Sequence, residues 1–271
     1  YWNERKRHWR ILIGDEGESR EFALSKGANN EKINSINNGV SVLDPVLAEL
    51  VCHWFGIEGG HSFDPFAGDT VFGYVSAALG IEFTGIELRP EQVELNNKRT
   101  ELIAAKYICD DGRNVATHIA KASQDLLFSC PPYFDLEVYS SSPQDASNQK
   151  EYSGFLVILE TAFTEAIGCL KENRFAVVVV GDISDKAGVY RQFPDDVKDI
   201  FRKNGMPLYN EMILVESLGT LPQRASRSMV NRKVMKCHQN VLVFYKGNPK
   251  DIQKHFKPIE FTYDEGEDVE H

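Results

Sequence analysis

Residues 61–87, HSFDPFAGDTVFGYVSAALGIEFTGIE, decide the fold of this chain. Their short apolar runs and turn residues predict a strand, a glycine turn, a helix and a second strand. Gly68 lets the backbone turn sharply and approach a ligand closely, and Gly80 ends the helix. The second strand ends at Glu87, about 20 residues after the turn, where a carboxylate can accept both hydroxyls of a ribose. The stretch therefore predicts a nucleotide-type binding unit.

The glycine pattern indicates which ligand this unit takes. Dinucleotide-binding folds use three glycines spaced as GxGxxG, whereas Gly68 and Gly73 do not have that spacing. A phosphate-rich cofactor is therefore disfavoured. DPFAG followed by a strand ending in TGIE resembles the S-adenosylmethionine (SAM) site of class I methyltransferases, especially the DNA amino-methyltransferases that modify adenine or cytosine. The alternative is an ordinary strand-helix-strand unit with an incidental Gly and Glu.

The resemblance implies a set of cofactor contacts. An acid after the third strand contacts the adenine amino group of SAM, and Asp110 or Asp111 can take that role, since spacing does not choose between them. The helix that opens after Ser41 resembles the segment that closes over the methionine end of SAM, although a plain packing helix is the alternative. The predicted cofactor residues are Ser41, Asp44, Asp64, Pro65, Phe66, Ala67, Gly68, Glu87, Leu88, Asp110 and Asp111.

A second motif follows the predicted fourth strand, residues 125–128. Two successive prolines after a strand fix a rigid turn without N–H donors, so the Pro131 carbonyl can face a ligand and Tyr133 offers a flat ring. The motif resembles the family's Asp, Asn or Ser followed by Pro-Pro-Tyr, which holds the target amino group and stacks on the extruded base. The predicted catalytic residues are Ser129, Cys130, Pro131, Pro132 and Tyr133.

Cys130 is a departure from the family motif. A thiol is a weak hydrogen-bond acceptor, so the group that takes the amino hydrogens stays open, and Ser129 or Asp135 can substitute. A cysteine nucleophile that attacks a pyrimidine ring carbon is an alternative. In the cytosine-ring enzymes, however, the cysteine follows the proline, at the place that Tyr133 holds here.

The rest of the pattern predicts the α/β fold of class I SAM methyltransferases, Rossmann-like, with helices on both faces. Its seven-stranded sheet is expected to be mostly parallel, with an antiparallel terminal strand. The run FAVVVV at residues 175–180 is typical of a strand buried on both faces, and residues 208–216 and 240–245 predict two strands that pair antiparallel. Residues 91–104 predict a helix, and the polar residues 134–152 predict a lid loop.

Three regions are expected along the chain. Residues 1–40 form an extension with a mobile loop, residues 41–250 form the methyltransferase domain, and residues 251–271 form an acidic tail, with fraying from Gly247 onward. Within the domain, residues 217–239 are predicted to be an inserted basic recognition segment.

The charge pattern points to a nucleic-acid partner. The net charge of −10 argues against a generic nucleic-acid coat, but six acids lie in the last twelve residues and distort the average. A stretch without a single acid is predicted to contact DNA phosphates, with a solvated face as the alternative. Its basic residues are Arg224, Arg227, Arg232, Lys233 and Lys236. A smaller basic cluster, Arg5 to Arg10, lies near the start.

The sequence of 271 residues predicts a cytoplasmic protein, since no run approaches the roughly 18 apolar residues of a membrane helix and the start has no apolar signal core. Five scattered cysteines form no CxxC pair, so neither disulfides nor a metal site are expected. The resemblance, strongest to methylases of phage or prophage type, implies methyl transfer from SAM to an exocyclic amino group of a flipped base in double-stranded DNA, adenine preferred over cytosine. The alternatives are an RNA or nucleotide amino-methyltransferase and a non-catalytic SAM-binding module.

Overall fold

The computed structural model describes residues 1–14, 43–134, 144–215 and 221–260. Within these ranges, strands and helices alternate along most of the chain. The strands are β1 (His61–Asp64), β2 (Glu82–Glu87), β3 (Ala105–Cys109), β4 (Gln124–Ser129), β5 (Leu170–Val180), β6 (Leu208–Val215) and β7 (His238–Lys246). The helices are α1 (Trp2–Ile13), α2 (Pro45–Phe55), α3 (Val71–Ala78), α4 (Pro90–Arg99), α5 (Val115–His118), α6 (Tyr152–Cys169), α7 (Phe193–Lys203), α8 (Leu221–Val230) and α9 (Ile252–His255).

The seven strands form one sheet in the order β3-β2-β1-β4-β5-β7-β6. The pairs among β1 to β5 are parallel, and β7 runs antiparallel to both β5 and β6. This order confirms the predicted fold class and the predicted antiparallel pair. The strand order reverses direction between β1 and β4, and the carboxyl ends of strands at such a point form the crevice in which open α/β sheets bind ligands.

Strand β5 shows how the sheet is covered. Val177 and Val179 belong to the core on one face, which α1 to α4 cover, whereas Val178 and Val180 belong to the core under α5, α6 and α7. All four side chains are fully buried. The apolar run therefore forms a strand buried on both faces, as the sequence predicts.

Helix α1 packs on α2 through two carboxylates. Glu49 accepts hydrogen bonds from Trp9 Nε1 at 2.7 Å and from Arg5 Nε at 2.8 Å, and Asp44 accepts one from Lys6 Nζ at 2.9 Å. Two members of the N-terminal basic cluster are thus held in ion pairs within the protein. The predicted mobile loop lies outside the described residues, and the predicted boundary at residue 40 stays a prediction.

The chain differs from the sequence-based expectations at three places. The helix predicted over residues 91–104 ends at Arg99, because the chain turns at Thr100, whose hydroxyl donates to the carbonyls of Asn96 and Ala105 at 2.9 and 3.2 Å and so joins the end of the helix to the start of β3. The described part of the predicted lid loop contains a 3₁₀ turn, Ala146–Asn148, in which Asp145 caps the N–H of Ser147 at 2.9 Å. Both of these polar residues are buried.

The third difference is at the end of the chain. The expectation of fraying from Gly247 onward is wrong for residues 249–256, which form a 3₁₀ turn and α9. Ile252 and Phe256 are one helical turn apart and pack against the same core, with the rings of Phe256 and Phe175 5.0 Å apart. Apolar burial therefore orders this segment. The acidic remainder of the predicted tail lies outside the described residues.

Candidate functional site

The turn after β1 is folded by its own side chain and by β2. Asp64 Oδ1 accepts the N–H of Phe66 at 2.8 Å, and the N–H of Ala67 donates to the carbonyl of Ile86 at 2.9 Å. Gly68 has a φ of 53°, in the left-handed region that favours glycine. The predicted cofactor residues of the DPFAG motif thus form one tight turn at the carboxyl ends of β1 and β2.

Glu87 joins this turn to the end of β2. Its Oε2 accepts the N–H of Gly68 at 3.0 Å, and its Oε1 accepts the N–H and Nε of Arg89 at 3.0 and 2.9 Å. Burial raises the pKa of Glu87, and the Arg89 charge opposes that rise. A carboxylate offers about four acceptor positions, and three are filled here. Glu87 can therefore accept one ligand hydroxyl as it stands, and a second when Arg89 moves.

A buried polar network, which the sequence reasoning missed, stabilises the turn at Gly68. Asn96, which is fully buried, donates from Nδ2 to the carbonyl of Gly68 at 2.8 Å. Its Oδ1 accepts from Thr70 Oγ1 and Gln92 Nε2, both at 2.8 Å. The available signal was the spacing of Gln92 and Asn96, two amides one helical turn apart on the buried side of α4.

The two sequence motifs follow neighbouring strands of the sheet. Strands β1 and β4 are parallel neighbours, with Phe63 opposite Leu127, so their carboxyl ends lie side by side. Burial raises the pKa of Asp64 to about 7, while the hydrogen bond from the N–H of Phe66 favours the ionised form. The DPFAG turn and the start of the CPPY turn therefore form one continuous edge.

The two candidate acids after β3 have different surroundings. Asp110 contacts His118 Nε2 at 2.6 Å, and this hydrogen bond lowers the pKa of Asp110. Asp111 caps the next turn by accepting the N–H of Arg113 at 2.9 Å, and it pairs with the Arg113 guanidinium at 2.6 Å. The side chain of Asp110 is 30% exposed and that of Asp111 is 8% exposed. Asp110 is thus the more accessible of the two.

The CPPY turn is packed too tightly to offer an open ring surface for stacking of a base. Cys130 is half-buried, whereas Tyr133 is 8% exposed. The Tyr133 ring lies 6.0 Å from the ring of Phe193, and a Cβ on Gly181 would lie 3.4 Å from it. Stacking of a base on Tyr133 therefore requires one face of the ring to be uncovered. Pro131 is buried and Pro132 is half-buried.

Two predicted cofactor residues either have other partners within the protein or fall outside the described residues. Asp44 is the N-cap of α2, accepting the N–H of Val46 at 2.9 Å, and its other oxygen contacts Lys6 and Trp2. Its carboxylate is thus engaged in holding helices together. Ser41 lies outside the described residues. Leu88 is half-buried beside Glu87. Their roles toward SAM stay predictions.

The basic segment divides into two groups. Arg227 and Arg232 are exposed, whereas Lys233 and Lys236 contact the segment that follows β5. Lys233 Nζ donates to Ser184 Oγ at 2.7 Å, and Lys236 forms an ion pair with Asp182. The side chain of Arg224 lies outside the described residues. Two members of the predicted phosphate-binding set therefore have partners within the protein, although Lys236 is itself exposed.

Two negative observations concern the described ranges alone. No group of three or more His, Cys, Asp or Glu side chains there is arranged to hold a metal ion. In the same ranges, every helix is too short or too polar to cross a membrane.

Comparisons with known proteins relate the fold to solved structures. No protein-family model matches this sequence, and no curated protein matches it. The cyclase SpnF has 15% identity over 77% of this chain and 85% of its own, with a TM-score of 0.52. TTHA0409 from Thermus thermophilus, a presumptive DNA modification methylase, has 19% identity and a TM-score of 0.39. The match covers 55% of this chain and 58% of TTHA0409, so this chain spans little more than half of that protein.

A third structure contains a bound product of methyl transfer. The 1,6-didemethyltoxoflavin-N1-methyltransferase of Burkholderia thailandensis, solved with S-adenosylhomocysteine, has 12% identity, with 75% of this chain and 78% of its own covered and a TM-score of 0.48. At these identities the likeness concerns the fold alone, and of these three structures SpnF has a TM-score above 0.5.

Proposed function

We propose that this protein transfers a methyl group from SAM to the exocyclic amino group of a base in DNA, adenine before cytosine. One observation carries the proposal: the DPFAG and CPPY turns, far apart in sequence, follow two neighbouring parallel strands, β1 and β4, at the point where the strand order reverses. A methyl donor and an amine acceptor must lie side by side for direct transfer, and this edge provides neighbouring sites for them.

The part of the edge formed by the DPFAG turn, Glu87 and Asp110 is the proposed donor side, and its chemistry fits SAM. SAM carries hydroxyl and amino donors and no phosphate, and this side of the edge offers carboxylate acceptors at Glu87 and Asp110. The left-handed Gly68 leaves the turn without a side chain at that point. Gly112 lies so close that an added Cβ would be 2.3 Å from the Pro65 carbonyl oxygen, so the acid-bearing turn is pressed against the DPFAG turn. When bound, SAM supplies an electrophilic methyl group.

The part of the edge formed by the CPPY turn is the proposed acceptor side, which holds the amine. The Pro131 carbonyl and the half-buried Cys130 thiol follow directly after β4, where they can accept the two amino hydrogens and direct the nitrogen lone pair toward the methyl group. Positioning and local electrostatics then supply most of the rate. A target base inside a duplex must be extruded to reach this turn. Arg227 and Arg232, which are exposed, provide positive charge for the DNA backbone.

The proposal is tested by incubating the protein with double-stranded DNA and methyl-labelled SAM, followed by mass analysis of the digested nucleosides. The expected products are N6-methyladenine or N4-methylcytosine. The same assay with RNA and with free nucleotides is run in parallel. Label found only in RNA or in a free nucleotide would reject DNA as the substrate, 5-methylcytosine would reject amino transfer, and binding of SAM without any transfer would reject the enzyme assignment.

A further inference from the structure

Arg191 lies beside the CPPY turn but belongs to neither sequence motif. Its backbone N–H donates to the carbonyl of Ile183 at 2.8 Å, which folds the segment after β5 back on itself. The guanidinium carbon lies 5.1 Å from the ring of Phe134 and 4.9 Å from the ring of Tyr152. Phe134 directly follows Tyr133, so this guanidinium borders the proposed acceptor site.

The Arg191 charge is not compensated within the described parts of the chain. Its Nε is buried and lacks a hydrogen-bond partner, and no described carboxylate forms an ion pair with it. The nearby Tyr152 hydroxyl donates to Asp196 at 2.6 Å, so that carboxylate is engaged by the tyrosine. A buried donor without an acceptor lowers the stability of the folded protein. Such a cost is removed when a ligand brings an acceptor.

The segment that carries Arg191 is held in place by the basic region. Lys233 Nζ donates to Ser184 Oγ and to the Gly188 carbonyl at 2.7 and 2.6 Å, and Lys236 pairs with Asp182. Both ammonium groups lie over the ring of Tyr190, at 4.3 and 5.0 Å. At the far end of the segment, Phe193 packs on Tyr133. Lys233 and Lys236 therefore act as positioning residues for the loop.

We infer that Arg191 binds a backbone phosphate of the target nucleotide, an inference that rests on the proposed nucleic-acid substrate. An extruded base carries its flanking phosphates toward the pocket. A guanidinium presents a planar fork of donors that matches phosphate oxygens, and the two aromatic rings fix its plane beforehand. The uncompensated charge, the buried Nε and the position beside Tyr133 all meet the needs of such a contact.

The experiment measures the affinity of double-stranded DNA by fluorescence anisotropy across a salt series, with S-adenosylhomocysteine present. Arg191→Met removes the charge and keeps an apolar chain between the rings. Lys186→Met, on the same segment and exposed, is the matched control. We expect Arg191→Met to raise the Kd roughly tenfold and to flatten the slope of log affinity against log salt by about 0.9. Lys186→Met should leave both unchanged.

Two further measurements separate contact from packing. SAM affinity of Arg191→Met should match the wild type, and its thermal unfolding should occur at the same or a higher temperature, because the unpartnered buried Nε is removed. Arg191→Gln replaces it if that variant does not fold. An Arg191 variant with the DNA affinity and salt slope of Lys186→Met overturns the inference while leaving the proposed function intact. Conversely, wild type that binds DNA through Arg191 but transfers no methyl group overturns the proposed function alone. Wild type that binds no DNA overturns both.

Discussion

The N–H of Gly68 donates a 3.0 Å hydrogen bond to Oε2 of Glu87, so the carboxylate at the end of β2 holds the turn at the end of β1. Glu87 therefore stabilises the turn and is also the proposed acceptor for a ribose hydroxyl. Changes at Glu87 should consequently affect the shape of the turn and the affinity for SAM together, and variants of graded severity can separate the two effects.

Glu87→Ala should weaken SAM binding by about 1–3 kcal/mol, because it removes a charged hydrogen-bond acceptor. Glu87→Gln keeps an oxygen for the Gly68 N–H and should lose less. Glu82→Gln, on the same strand but exposed, is the control and should bind as the wild type does. Titration calorimetry measures all three. Unchanged SAM affinity in Glu87→Ala would reject Glu87 as a cofactor residue.

The neighbouring asparagines of α4 give a second prediction. Asn96→Ala removes the hydrogen bond to the Gly68 carbonyl, whereas Asn97→Ala removes two bonds to the backbone of Tyr107. Each variant should lose about 1–3 kcal/mol of unfolding free energy. Only Asn96→Ala should also weaken SAM binding, because only Asn96 contacts the turn. Urea denaturation and calorimetry test this, and equal SAM affinities in the two variants would contradict it.

The raised pKa of Asp64, about 7, predicts a pH-dependent stability. An unfolded aspartate titrates near about pH 3.9, so between this value and about pH 7 the folded protein holds the extra proton. The stabilisation is complete below the unfolded pKa and is lost as the pH rises through the folded pKa. Because Asp64→Asn is neutral throughout, its stability relative to wild type should increase across this range.

Denaturant unfolding at a series of pH values from about 4 to 8 measures that difference. The exposed Asp195, changed to Asn, serves as the control for the loss of one carboxylate. A difference between Asp64→Asn and wild type that does not change with pH would mean that the carboxyl group of Asp64 titrates normally in the folded protein.

Cys130 provides a prediction about the chemistry. If its thiol only lines the amine site, Cys130→Ser should retain methylation and Cys130→Ala should lose it partly, because the Pro131 carbonyl remains. Cys109→Ala, at an exposed free cysteine, should behave as the wild type. If Cys130 is instead a nucleophile, both Cys130 variants should lose all activity. The wild-type protein should then also form a covalent adduct with DNA that contains 5-fluorocytosine, visible as a single band in a denaturing gel.

The local pattern predicted the sheet well, because burial on two faces leaves a continuous apolar run and a glycine turn leaves its own mark. Contacts between distant side chains left no such mark. Asn96 supports Gly68 from another helix, and Asp44 is engaged by Lys6 from the N-terminal helix. The spacing of Gln92 and Asn96 indicates a buried amide pair, but no sequence spacing identifies Gly68 or Lys6 as the partner. The sequence pattern therefore did not indicate that Asp44 holds the two helices together.

The basic segment shows the same limit in charge patterns. A row of basic residues without acids predicts an exposed positive face, but Lys236 pairs with Asp182, which is brought close only by folding. Arg191 was missed for the opposite reason. It stands alone in the sequence, and its significance depends on the rings of Phe134 and Tyr152 that the fold places around it.

The insertion of β7 between β5 and β6 has a consequence for how the chain reaches this structure. Strand β6 is synthesised before β7, yet among the described strands it pairs with β7 alone. Until β7 is in place, β5 presents an open edge, and β6 has no neighbour in the sheet. Pairings over such sequence distances form slowly, and unpaired strand edges promote aggregation. Pairing of His238–Lys246 with β5 and β6 is therefore expected to limit the folding rate. Before this pairing the nascent chain is expected to be more prone to self-association than afterwards.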